Sequence, residues 1–158
     1  MTVYLVRHAR AGRRSAWKGD DTLRPLSKVG RRQANELVGL LTDDRIREIV
    51  SSPYVRCRQS VEPLAKRLDL SVDVADELAE GASLDGALRL VEKVSHHDAV
   101  LCTHGDVVLL LLTHAKAHGV KTGKLRMEKG SVWALDTRAG TITKAGYLPP
   151  PRSSAPKS

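Results

Sequence analysis

The chain has 158 residues, 41% of them hydrophobic and 28% charged, which describes one ordinary domain long enough to bury a core without disulfides or metals. With aromatics at 3% and no Phe, the core is expected to be Leu, Val and Ala, and the stacking platforms of single-stranded nucleic-acid binders are missing. The net charge is +8, the two cysteines (Cys57 and Cys102) make no disulfide framework, and no signal peptide or bilayer-length apolar run is present, so a cytoplasmic protein without a membrane partner is expected.

Residues 2–7 (Thr-Val-Tyr-Leu-Val-Arg) read as a strand buried on both faces. Residues 9–26 are polar and basic, with Gly12, Gly19 and Pro25, and read as a long loop of the kind that carries function. Nine Lys/Arg fall within residues 1–33 against Asp20 and Asp21. Either a basic mouth around an anion site or a set of solvated faces accounts for them. Ser27 is placed to cap a helix running to about residue 42, with Val29, Leu37, Leu40 and Leu41, and Ala34, recurring at helical spacing.

Ile46–Ser51 reads as the second strand, and Pro53 is placed to open a helix that runs to about Leu68. Leu70–Val74 is a short strand, and 75–82 a loop holding Asp76, Glu77 and Glu80. Ser83 caps a helix to about Val94. Ala99–Thr103 is a central strand, and the apolar run 107–112 after Gly105-Asp106 reads as a buried helix ending near 118. Ser131–Asp136 and Thr141–Gly146 form a hairpin around 137–140, its second strand at a sheet edge. The Pro/Ser-rich tail 149–158 is expected to be disordered. Strands alternating with helices predict an α/β fold, a three-layer α/β/α sandwich with a mostly parallel sheet.

Ligands of open parallel sheets bind at the C-terminal strand ends, and three such ends carry chemistry. The first delivers Arg7 and His8. The second delivers Ser51-Ser52-Pro53, with Arg56 in the next helix. The central strand delivers His104-Gly105 at a helix start. Two arginines suit the bidentate grip of a phosphate, a helix N-terminus favours an anion, and a neutral imidazole is available to attack phosphorus. Phosphoryl transfer is mostly positioning and charge stabilisation, so the cluster needs no metal and no cofactor. Other signals are weak. His114 and His118 have metal-ligand spacing but no third ligand. Gly119–Leu125 is one residue short of a P-loop and lacks its Ser/Thr. No recognition helix is evident, so a nucleic-acid partner is not expected.

The segments Leu5-Val6-Arg7-His8-Ala9, Leu26–Ala34, Ser51–Ser60 and Thr103-His104-Gly105 occur in the order found in the histidine phosphatase superfamily, branch 1, which includes phosphoglycerate mutases. The chain resembles that family over residues 2–106. The resemblance implies a phosphoglycerate mutase-like fold over 1–148 and a phosphohistidine intermediate on His8. It implies a phosphate pocket of Arg7, Arg56 and His104. It also implies a general acid in the loop after the third strand, where Leu78-Ala79-Glu80 matches the family pattern; Glu80 is the first choice and Glu77 the second. Ala9 replaces the family's usual Gly, which speaks against mutase activity. The chain is most similar to short SixA-type phosphohistidine phosphatases and to phosphatase-like domains of actinobacterial MutT-type Nudix proteins. The implied partners are a small phosphorylated substrate or a phosphohistidine protein, with a Nudix hydrolase from a separate chain. The alternative is a phosphate-recognising module with little or no turnover.

Overall fold

The computed structural model describes residues 1–151. Six strands form one sheet in the order β3-β2-β4-β1-β5-β6, with β1 Thr2–Arg7, β2 Ile46–Ser51, β3 Val72–Val74, β4 Asp98–Thr103, β5 Val132–Arg138 and β6 Thr141–Leu148. The first four are mutually parallel, β5 runs antiparallel to β1, and β6 antiparallel to β5. Four helices flank the sheet: α1 Lys28–Leu40, α2 Val55–Leu68, α3 Leu84–Val94 and α4 Gly105–Ala117. This is the three-layer sandwich that the strand–helix alternation predicts, with the last strand at the edge.

Strand alternation divides the core in two. Val3 and Leu5 of β1, with Ala99 and Leu101 of β4, pack beneath α3 and α4. Val6, Val100 and Cys102 face the other way, onto Leu37 of α1 and Val61 and Leu64 of α2. Because β4 is covered on both faces, all six of its residues are buried. The parallel strands β4, β1 and β2 therefore end together on one side, beside one another, and set down His104, His8 and Ser52 there.

The helix starts differ in a way that matters for the site. Ser27 and Ser83 cap α1 and α3, their hydroxyls accepting from Gly30 and Gly86 N–H, both at 3.1 Å. The starts of α2 and α4, after Tyr54 and His104, have no side-chain cap. Their first N–H groups stay free for an anion. Gly30 has a second role: a Cβ there would lie 1.9 Å from the Arg10 carbonyl oxygen. Only glycine lets α1 pack this close to the loop after His8.

Several boundaries depart from the sequence reading. Pro53 does not open α2; the helix starts at Val55, after Tyr54. The 9–26 segment is not featureless. It makes two 3-10 turns, Arg14–Ala16 and Asp21–Leu23, and closes on itself through an Ala11–Leu26 bridge. The hairpin turn is tighter than expected, since Ala139 and Gly140 both have positive φ, 52° and 80°, the pattern of a two-residue turn that matches strand twist. Helix α4 is not buried all round: Leu109 and Leu110 are 41% and 37% exposed. A continuous apolar run has no period to reveal which face looks outward. The expected tail is described only to Pro151; residues 152–158 lie outside the described residues. Among the described residues, no helix is long and apolar enough to cross a membrane.

Candidate active site

A cleft of about 940 Å³ opens at the ends of β1, β2 and β4, and Arg7, His8, Arg56, Glu80, His104 and Gly105 all line it. Every candidate read from the sequence except Glu77 is brought there. Glu77 packs its side chain against Gly86 at the start of α3 and faces a separate depression between β3 and α3.

His8 is 7% exposed. Its backbone continues the β1–β4 ladder, the N–H donating to the Thr103 carbonyl at 3.0 Å. Its Nδ1 lies 2.8 Å from the Ala9 carbonyl oxygen. A carbonyl oxygen only accepts, so Nδ1 carries the proton and Nε2 keeps its lone pair. Burial pushes the imidazole down to about 3. The Ala9 bond opposes this shift, and the charges of His104, Arg56 and Arg7 add to it. The ring is therefore neutral at physiological pH, with its Nε2 lone pair available.

His104 stands edge-on to His8, ring centroids 5.4 Å apart. Its Nε2 meets the Ser52 hydroxyl at 2.8 Å and the Cys57 sulfur at 3.5 Å, and its buried Nδ1 has no partner. The Tyr54 ring packs against it at 4.5 Å. Cys57 and Cys102 are buried and free, core residues behind the site.

Arg56 is 1% exposed and is held from three sides. Its guanidinium donates to the Asp21 carbonyl at 2.8 Å and to the Asp21 carboxylate at 3.2 Å. It lies 4.8 Å from the Tyr54 ring centroid. Arg7 donates to the Met127 carbonyl, and its Nε has no partner. Burial lowers the Arg7 pKa, and Asp106 opposes that. Gly105 matters here because a Cβ on it would come within 3.0 Å of the Arg7 guanidinium. The His-Gly pair thus has a steric reason.

Glu80 reaches the cleft because its neighbours are anchored. Leu78 is fully buried, worth roughly 2 kcal/mol, and its carbonyl accepts from Thr103 Oγ at 2.6 Å. Gly81 N–H donates to the Asp106 carboxylate at 2.7 Å. Between these anchors the Glu80 carboxylate lies 3.4 Å from Arg14 and 3.9 Å from Arg56.

Sequence reasoning missed Asp21 as a site residue. Burial alone would raise its carboxyl. The Arg24 hydrogen bond and the charges of Arg56, Arg24 and Arg14 outweigh that and hold it below the usual carboxylate range. The only trace in the sequence is an acid inside a basic loop. Lys129, also missed, lines the cleft from the loop before β5. That loop is pinned by Trp133 Nε1, which donates to the Arg126 carbonyl at 2.8 Å. Among the described residues, no group of three or more His, Cys, Asp or Glu stands in a metal-binding arrangement.

Comparison with known proteins identifies the family. The profile of the histidine phosphatase superfamily (branch 1) matches residues 3–86, a stretch that includes His8, Arg56 and Glu80. An 8-oxo-(d)GTP phosphatase from Mycolicibacterium smegmatis is 38% identical over 159 residues, covering 95% of this chain and 48% of the relative. The chain thus spans about half the length of that protein. A structure described as a SixA phosphohistidine phosphatase from Nakamurella multipartitia superposes with a TM-score of 0.74 at 22% identity, covering 94% of this chain and 95% of that one. A SixA-described structure from Agrobacterium tumefaciens gives 0.69 at 25% identity, covering 94% and 97%. By the profile match over more than half its length, the chain belongs to the histidine phosphatase superfamily, branch 1, and its phosphatase-named relatives support a hydrolase acting on phosphate esters.

Proposed function

We propose that this chain is a metal-independent phosphatase that works through a phosphohistidine on His8. The observation that carries the reading is the His8 ring itself: neutral, with Nδ1 committed to the Ala9 carbonyl and Nε2 free at the floor of an arginine-lined cleft. Arg7, Arg56 and the uncapped start of α4 would hold the phosphate oxygens and offset their charge. Nε2 attacks phosphorus, and the bond from phosphorus to the leaving oxygen breaks. Glu80 supplies the leaving oxygen's proton. Water then attacks the phosphohistidine, giving its proton to Glu80, and the P–N bond breaks to release phosphate. With the Ser52 hydroxyl donating to Nε2, His104 keeps a proton on Nδ1, a donor for the charge that develops on the phosphoryl oxygens.

The substrate is a small phosphomonoester such as a nucleotide, or a protein phosphohistidine. The named phosphatase relatives support the first through the Mycolicibacterium protein and the second through the SixA-described structures. A cytoplasmic location and a Nudix hydrolase partner belong to the same reading.

The test is phosphate release from nucleotides, sugar phosphates and a phosphohistidine protein, with EDTA present, comparing wild type with His8→Ala. Release should fall at least about a thousandfold in the variant. Equal release by both proteins removes His8 from the mechanism. No release by either, with phosphate still bound, makes the domain a recognition module.

A further inference from the structure

The cleft holds more positive charge than one phosphate uses. Arg7 and Arg56 face the His8 pocket. Arg14 and Arg24 are engaged with carboxylates, Arg14 with Glu80 and Asp21 and Arg24 with Asp21 at 2.9 Å. Arg10 and Lys129 also line the cleft, and neither has an ion-pair partner among the described residues.

These two residues are tied to one another and to His8. Gln33 of α1 accepts from the Arg10 N–H at 3.0 Å and donates to the Lys129 carbonyl at 3.1 Å. The next residue, Gly130, donates its N–H to the Arg7 and His8 carbonyls, both at 3.1 Å. Arg10 is two residues after His8, and Lys129 is one residue before that Gly130 contact. The two cations therefore flank the His8 pocket on strapped backbones rather than on free loops. Burial, followed by the charges of Arg7, Arg24, Arg10 and Arg56, lowers the Lys129 pKa. These charges lie close enough to repel one another, and a multiply charged anion would relieve the repulsion.

We propose that Arg10 and Lys129 form a second phosphate subsite beside the His8 pocket, so that the substrate carries two adjacent phosphates. This rests on the reading of His8 as nucleophile. The terminal phosphate goes to His8, and its neighbour, held by Arg10 and Lys129, is the leaving group. The bridging P–O bond breaks with its electron pair on the shortened chain. Water later splits the P–N bond. The class this selects is a phosphoanhydride with two or more adjacent phosphates, which includes nucleoside di- and triphosphates, not a protein phosphohistidine, which offers one phosphoryl group.

Calorimetric titration of the full chain with orthophosphate and with methylenediphosphonate, a pyrophosphate analogue whose P–C–P bridge is not cleaved, tests the subsite without turnover. Wild type should bind the diphosphonate at least tenfold more tightly than orthophosphate. Arg10→Ala and Lys129→Ala should each reduce that preference severalfold, and the double variant should abolish it. Lys66→Ala, in the last turn of α2 and far from its cleft end, should keep it. Equal affinities in wild type, or a preference that survives the double variant, overturn the proposal. A preference that depends on both residues, alongside His8-independent phosphate release, keeps the subsite and overturns only the catalytic reading.

Discussion

The floor and the rim of the cleft are built differently. On the floor, His8, His104 and Arg56 are 7%, 2% and 1% exposed, and each sits at a strand end or in the first turn of a helix. At the rim, the side chains of Arg14 and Glu80 are 67% and 41% exposed, and they hang from irregular segments. A buried group on a rigid element has one geometry, and charge stabilisation depends on that preorganisation. An exposed group on a loop is free to vary with the substrate. The floor is thus suited to the phosphoryl chemistry, and the rim to choosing what carries the phosphoryl group.

Glu80 is where this division is easiest to break, because it lies on the rim yet is assigned a proton transfer. Glu80→Gln should slow release from poor leaving groups, such as alkyl phosphates, by roughly 10²- to 10⁴-fold. Release from p-nitrophenyl phosphate, whose leaving oxygen needs no proton, should slow far less. Comparing kcat/KM for the two substrates, which reports the step that expels the leaving group and not the common hydrolysis of the phosphohistidine, decides the role. An equal loss on both would mean that Glu80 only orients Arg14 and Arg56, and that the rim has no part in the chemistry.

The floor is legible in the sequence and the rim mostly is not. Thr2–Arg7 and Ala99–Thr103 are short apolar runs of the kind parallel sheets bury. A polar residue directly after each must fall at the strand end, so the placement of His8 and His104 follows from residue order alone. Arg56 follows from its position just after the second strand. Glu80 is legible only through the family resemblance, whose pattern Leu78-Ala79-Glu80 matches; the burial of Leu78 that anchors it shows only in the fold. Asp21 is not legible as the support of Arg56, because nothing periodic links the 9–26 loop to α2 across that sequence separation. Lys129 lies in a loop whose course is set by the Trp133 and Gln33 hydrogen bonds, and those depend on tertiary placement. The exposure of Leu109 and Leu110 is hidden by the unbroken apolar run around them.

Gly105 sharpens the comparison from the floor side. Gly105→Ala puts a methyl group 3.0 Å from the Arg7 guanidinium, which must then shift. Small displacements at a reacting centre are costly, so turnover should fall roughly ten- to a hundredfold. Gly105 is the first residue of α4, where alanine's advantage over glycine is smaller than the about 1 kcal/mol of a helix interior, so Tm should change little. Turnover and melting of the same preparation check both halves. Unchanged turnover would show that the floor tolerates adjustment and is no more rigid than the rim.

The smallest effect separates floor from rim by pH. His8 has a folded pKa of about 3 against an ordinary 6.5. Between those values the unfolded chain binds a proton that the folded chain does not, so stability falls as pH falls through that window. From pH 6.5 to 4.5 the loss attributable to His8 is about 2 kcal/mol. Asp21 acts in the same direction but lower. Its carboxyl is held below 3.8 by Arg24, Arg56 and Arg14 against burial, so its contribution is complete above that value and lost only on further acidification. Above pH 4.5 Asp21 therefore drops out, and the difference between wild type and a His8 variant isolates the floor residue. Urea unfolding of wild type and His8→Gln at both pH values measures it. The variant should lose about 2 kcal/mol less than wild type on acidification. Parallel losses would mean that His8 takes up a proton in the folded chain, and an imidazolium at that position has no lone pair for phosphorus.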